Sequence, residues 1–279
     1  AVQQSLRFIR EAQDADQPFV LWLNTQVPHM DQRHTWPAQD EFLAKYDPQA
    51  MPLPRTWNDS LQGKPDYLAT SRSRTQALKY GYDDPAAIRA HACDYYASVE
   101  QMDRAVGRLL AELDTPSLRS ETWVILMGDN GWFLGEHGFT SKVLAYEESM
   151  RVPMVVAAPD GDDNAANVCD ALVLNIDVMA TLLDIAGVDV PESVQGRSLR
   201  PLLSGKVPAD WRDSFLYEAP TPQLGSRPLW AVRDARWKYV RTSHQQEPRV
   251  PKTQDARTKE TKTTAPPANA AADEFEELY

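Results

Sequence analysis

The stretch Glu121–Pro153, ETWVILMGDNGWFLGEHGFTSKVLAYEESMRVP, decides how the rest of the chain is read. It opens with the apolar run Trp123-Val124-Ile125-Leu126-Met127. This run is short, partly β-branched and stopped by Gly128, a pattern that predicts a buried strand. Asp129, Asn130 and Gly131 fall where that strand ends. In open α/β sheets, ligands bind beyond the carboxyl ends of strands. A carboxylate followed by an amide oxygen suits a hard cation such as Ca²⁺ or Mg²⁺. The same residues are also ordinary turn formers, and spacing alone does not choose between the two readings. Glu136, His137 and Lys142 follow within a short loop punctuated by Gly135 and Gly138.

GDNG at 128–131, GEHG at 135–138, then Lys142 and YEESMRVP at 146–153 resemble the C-terminal signature region of the type I sulfatases. These belong to the alkaline phosphatase superfamily. The resemblance implies an α/β fold: a mixed, mostly parallel sheet flanked by helices, with a small C-terminal antiparallel sheet. It assigns Asp129 and Asn130 to a divalent cation, Ca²⁺ first and Mg²⁺ as the other candidate. It makes Lys142 a sulfate-binding lysine that assists the leaving group. His137 reads either as a substrate contact or as a residue that fixes its loop. Glu147 and Glu148 read as an acidic pair at a helix N-terminus, where the helix dipole favours them.

Upstream, Phe19-Val20-Leu21-Trp22-Leu23 predicts a second buried strand, with Asn24 to His29 at its end. In sulfatases a matching strand leads into a PH motif, typically PHxP. Here Pro28-His29-Met30-Asp31 lacks the second proline. The resemblance assigns His29 to the sulfate ester; taken alone, it reads as a histidine capping a strand end. Residues 30–87 show no sustained period and are too long for a plain connection. They are expected to shape the substrate pocket, with His34, Trp36, Arg55, Trp57, Arg72 and Arg74 as candidate lining.

The remaining elements follow α/β order. A helix is predicted over Val2–Gln13. A long one starts at Asp84-Pro85, with apolar residues from Ala92 to Leu113 at steps of three to four. Met154–Ala158 predicts a strand and Gly161–Asn164 a turn. Ile176–Ala186 predicts a helix closed by Gly187. This helix and GRSLRPLL at 196–203 extend the sulfatase resemblance, in a structural role. Asp213–Glu218 predicts a strand, and Leu229–Arg233 with Trp237–Arg241 a hairpin about Asp234-Ala235. Residues 243–273 are polar and read as a mobile insertion. Residues 1–205 are therefore expected to form part of the catalytic domain, and 206–279 a small C-terminal subdomain.

A net charge of −11 argues against a nucleic-acid groove and supplies no polybasic membrane patch. No apolar run approaches the roughly 20 residues of a membrane span. The two cysteines, Cys93 and Cys169, have no metal-like spacing and read as buried thiols. Five histidines in all do not favour a two-zinc site. Sulfatases use a formylglycine nucleophile made from a C/S-x-P-x-R motif, and no such motif occurs here. Ser226-Arg227-Pro228-Leu229-Trp230 comes nearest but ends in Trp. The expectation is a sulfatase fragment whose nucleophile and remaining metal ligands lie in an upstream segment. Such a fragment would be inactive alone and would bind Ca²⁺ poorly. The substrate would be a sulfate ester, and the complete protein exported (periplasmic or extracellular) or lysosomal. The alternatives are a phosphoester or phosphonate ester hydrolase of the same superfamily, and a non-catalytic sulfatase-like binding protein.

Overall fold

The structure, a computed structural model, describes residues 1–159, 168–220, 226–243 and 274–279. In chain order, α1 (Val2–Asp14) and α2 (Asp40–Leu43) precede a 3-10 turn at Asp66–Thr70. Then come α3 (Arg72–Lys79), α4 (Pro85–Leu113) and α5 (Pro116–Arg119). The central stretch holds β1 (Val124–Met127), β2 (Phe133–Leu134), β3 (Thr140–Ser141), α6 (Glu147–Met150) and β4 (Met154–Ala157). After it come α7 (Asp177–Ile185) and α8 (Arg200–Leu203). The strands β5 (Ser214–Ala219), β6 (Leu229–Asp234), β7 (Lys238–Ser243) and β8 (Glu274–Leu278) follow.

The long helix α4 starts where its sequence signals place it. Asp84 accepts the backbone N–H of Ala86 at 2.9 Å, and Pro85 occupies the first turn, where its missing N–H costs nothing. Ile88, Ala92, Cys93 and Ala97 form its buried stripe. α1 buries Leu6 and Ile9 and is tied to the far end of α4 by a two-pronged Arg10–Glu112 pair, both contacts 2.7 Å. α7 begins on Asp177, a fully buried carboxylate. It accepts both terminal nitrogens of Arg212, at 2.5 and 2.6 Å, and the N–H groups of Leu174 and Arg197. Gly187 closes this helix at φ +68°, a conformation that suits glycine.

β1 pairs antiparallel with β4, from Val124 opposite Ala157 to Met127 opposite Met154. Every ladder among the described residues is antiparallel; the mostly parallel sheet is not among them. The predicted strand Phe19–Leu23 joins no ladder, and Val20 and Trp22 are 78% and 63% exposed. An apolar run reports a capacity for burial; a strand also needs a neighbour to pair with and a layer to cover it. Leu126 and Val155 are exposed for the same reason.

The C-terminal sheet has the order β5-β6-β7-β8. Its β6–β7 hairpin is closed by Asp234, whose carboxylate accepts the N–H groups of Arg236 and Trp237. Leu229, Ala231 and Val240 pack on Ala145, so this sheet backs the segment that follows Lys142. Lys238, 5% exposed, donates to Glu147 at 3.2 Å. Tyr279 donates to the hydroxyl of Tyr146 at 3.1 Å. Cys93 is a buried free thiol, whereas Cys169 is an exposed one, which corrects the expectation that both are buried. The predicted turn at 161–164 and all but Ser243 of the predicted insertion lie outside the described residues.

Candidate active site

The polar tip of β1 is shaped by two glycines and one amide. Gly128 lies against Val152, whose Cβ would stand 3.2 Å from an added methyl. A Cβ at position 131 would come within 2.0 Å of the carbonyl oxygen of Glu148, so the backbone there requires glycine. Gly131 donates its N–H to the carbonyl of Ser149 at 2.9 Å. Asn175 donates through Nδ2 to the carbonyls of Gly128 and Asp129, both at 3.2 Å. Asp129 is exposed and accepts the N–H of Asn130 at 2.8 Å.

Lys142 returns to this tip from β3. Its ammonium donates to Oδ1 of Asn130 at 2.8 Å and stands 5.7 Å from the ring centroid of Trp132. His29 packs edge-on against the same indole at 5.3 Å, its Nδ1 2.7 Å from the carbonyl of Met30. Trp132 thus gathers the predicted residues His29 and Lys142, with Asn130 on the ammonium and Asp129 next along the chain. Lys142 is flanked by two left-handed residues, Ser141 at φ +81° and Val143 at φ +87°. A β-branched residue in that region is an outlier that costs about 1–3 kcal/mol and persists only where its surroundings over-determine it. Here the N–H of Val143 donates to Oγ of Ser149 at 2.9 Å, and its carbonyl accepts from Tyr217 at 3.4 Å.

His137 belongs to a neighbouring network. It sits at φ +53° in the 3-10 turn Glu136–Gly138. Its Nδ1 lies 2.7 Å from Asp59, and its N–H donates to Thr56 at 3.2 Å. Burial pushes the Asp59 carboxyl up, but its bonds to His137 and to the N–H of Leu61 outweigh this and hold it below the usual range. Glu136 accepts the N–H of Leu134 at 2.6 Å, and burial raises its carboxyl. Glu147 and Glu148 do open α6, but Glu147 is engaged by Lys238 and Arg233, each at 3.2 Å.

Of the candidate pocket residues in 30–87, His34 and Trp36 are core, 1% and 2% exposed. His34 stacks on Tyr80 with centroids 3.8 Å apart, and burial with the charge of His91 lowers its pKa to about 4. Trp57 packs against the same core. Arg74 donates to the carbonyl of Gly138 at 2.8 Å, and Arg55 and Arg72 are exposed.

Among the described residues no group of three or more His, Cys, Asp or Glu side chains converges as a metal site. Asp129 and Asn130 offer oxygens of the right hardness for Ca²⁺, which takes six to eight such ligands. They fit as two contributors to a larger set, and Asn130 shares its oxygen with the Lys142 ammonium. Three residues of the site escaped sequence reading: Trp132, Ser149 and Asn175. Trp132 and Ser149 carry no local signal of a site role. Nothing local to Asn175 announces its contact with β1.

The fold is like that of solved sulfatases and phosphonate monoester hydrolases. A solved structure in complex with D-glucosamine-2-N,6-O-disulfate superposes with a TM-score of 0.72 at 24% identity, covering 88% of this chain and 60% of that one. The phosphonate monoester hydrolase of Agrobacterium radiobacter gives 0.65 at 20% identity, covering 86% and 51%. The chain belongs to the sulfatase family, whose profile matches residues 1–188. A second profile, N-sulphoglucosamine sulphohydrolase, C-terminal, matches residues 135–253. An N-acetylglucosamine-6-O-sulfatase of Bacteroides thetaiotaomicron is 41% identical over 126 residues, 44% of this chain and 22% of that protein. Arylsulfatase K of Xenopus laevis is 25% identical over 255 residues, 83% of this chain and 45% of that one. The chain thus spans less than half the length of these curated relatives. The family as a whole works with a divalent metal and a formylglycine.

Proposed function

We propose that the protein hydrolyses sulfate esters at the tip of β1. The observation that carries this reading is the 2.8 Å bond from Lys142 to Asn130, made beside the indole on which His29 rests. Sulfuryl transfer spreads negative charge over oxygens, so preorganised positive charge is its main lever. Lys142 holds a sulfuryl oxygen and stabilises the leaving oxygen as it departs. His29, exposed at the site, contacts the sulfate ester. His137 reaches substrate only through Nε2, since Nδ1 is engaged by Asp59. Asp129 and Asn130 contribute to a divalent cation site, with Ca²⁺ favoured by their oxygen ligands. When bound, that cation supplies Lewis-acid stabilisation. These 279 residues carry no C/S-x-P-x-R motif, so the nucleophile is assigned to none of them.

The rest of the reading draws on the relatives. The 41% identity to an N-acetylglucosamine-6-O-sulfatase favours a sulfated amino sugar as substrate. Exported or lysosomal residence follows from the same kinship, and no helix among the described residues is long and apolar enough to cross a membrane. In the whole fold, a mostly parallel sheet flanked by helices accompanies the small antiparallel sheet. Residues 1–205 form the catalytic part and 206–279 a small subdomain. A second reading, phosphonate or phosphate ester hydrolysis, is favoured by likeness to the multifunctional alkaline phosphatase superfamily protein PehA of Trinickia caryophylli, 29% identical over 211 residues. The test is turnover of matched aryl sulfate, phosphate and phosphonate esters and of glucosamine 6-sulfate by the natural protein bearing this chain. Preference for the sulfates, lost about 10²–10³-fold in Lys142→Ala, is expected. Preference for phosphonate would replace the first reading with the second.

A further inference from the structure

Ser149 touches both halves of the candidate site without facing either ligand-bearing side chain. Its carbonyl accepts the N–H of Gly131, the residue after Asn130, at 2.9 Å. Its hydroxyl oxygen accepts the N–H of Val143, the residue after Lys142, at 2.9 Å. Ser149 itself is 4% exposed, which holds its hydroxyl in place against the half-buried Val143. The two segments it joins are the ones with special backbone demands. Gly131 has no room for a side chain, and Val143 is held at φ +87°. The 2.8 Å contact between Lys142 and Asn130 spans the same gap that Ser149 closes from behind.

We infer that Ser149 is a positioning residue: its hydroxyl fixes the backbone turn that delivers Lys142 to Asn130. The inference rests on the reading of those two residues as the site. The backbone carbonyl bond to Gly131 survives any substitution at 149, so a change at the hydroxyl isolates the lysine half. With the hydroxyl gone, the half-buried Val143 N–H loses its partner, and the left-handed turn loses one of the two bonds that hold it. Lys142 then leaves Asn130.

The test is competitive acylation of the folded chain with trace acetic anhydride, read by peptide mass spectrometry as the reactivity of Lys142 relative to exposed Lys206. In Ser149→Ala the ratio is expected to rise about fivefold, the equilibrium factor of one ordinary net hydrogen bond. Asn130→Ala gives the same rise. Ser149→Thr, which keeps the hydroxyl, restores the original ratio. Thr181→Val removes a buried hydroxyl that accepts the N–H of Leu199 at 2.9 Å, away from the Asn130–Lys142 pair. It leaves the ratio unchanged while lowering the melting temperature comparably. Should Ser149→Ala fail to unfold yet leave the ratio where it was, or should Thr181→Val move it equally, the inference is overturned. Ser149→Cys, close in size but with a far weaker acceptor, repeats the test if the alanine variant does not fold. Turnover by the natural protein bearing this chain is a separate readout: a shifted ratio together with no turnover of sulfate esters by that protein would sink the sulfatase reading and leave the positioning role standing.

Discussion

Lys142 and His34 show how a single side chain is tuned by its neighbours. Lys142→Arg keeps the charge, but a planar guanidinium cannot stand where a compact ammonium meets one amide oxygen. Sulfate ester turnover is expected to fall at least tenfold in kcat, checked by steady-state kinetics. His34 is buried against Tyr80, Trp36 and Tyr82, near His91, Asp31 and Lys79, with a folded pKa of about 4 against an ordinary 6.5. The unfolded chain therefore binds the proton first as pH falls. Its contribution is complete above pH 6.5 and is lost between 6.5 and about 4, by up to about 3 kcal/mol. Urea midpoints at pH 7 and pH 4.5 should separate, and His34→Phe should narrow the gap. Sequence reading singled out Asp129, Asn130 and Lys142 through the resemblance of their motifs, since spacing alone left an ordinary turn equally open. It placed His34 in the pocket because a histidine in an aperiodic segment carries no mark of burial. Trp132 was invisible as a site residue, since its meeting with His29 joins positions distant in the chain.

Helices and the hairpin were legible as elements because their signals are local. Asp84-Pro85 opens α4, Gly187 ends α7, and Asp234 turns β6 into β7, each through bonds to residues two or three away or through a required φ. The strand Phe19–Leu23 failed because pairing is not local: apolar letters do not say which strand lies alongside. The meeting of β1's tip with α6 is the tightest junction between elements. Gly131→Ala forces a methyl to within 2.0 Å of the Glu148 carbonyl, a backbone atom that cannot swing aside. We expect a loss of about 2–3 kcal/mol, visible as a lower denaturation midpoint, together with weakened anion binding. Asp177→Asn attacks α7 differently. It leaves the Arg212 guanidinium, 13% exposed, without its carboxylate, and about 3–5 kcal/mol of stability should go with it.

Across the molecule, apolar side chains crowd the outside of the segments that a larger sheet would cover. Val20, Trp22, Leu126, Val155, Ile176 and Met179 are all at least 42% exposed. Large apolar side chains left this exposed on strand and helix segments mark surface suited to being covered. The isolated chain is expected to bind anilinonaphthalene sulfonate while folded and to self-associate at micromolar concentration. Sedimentation velocity on a Trp22→Ser, Val155→Thr double variant should show less association. The bond between Lys142 and Asn130 has one more consequence. An ammonium has three hydrogens, and the amide already occupies one. The two that remain point in directions set by the first, so the lysine offers an incoming oxyanion two prongs at a fixed angle to the amide. Two esters of equal charge would then bind unequally if the oxyanion of one falls outside the reach of those two hydrogens.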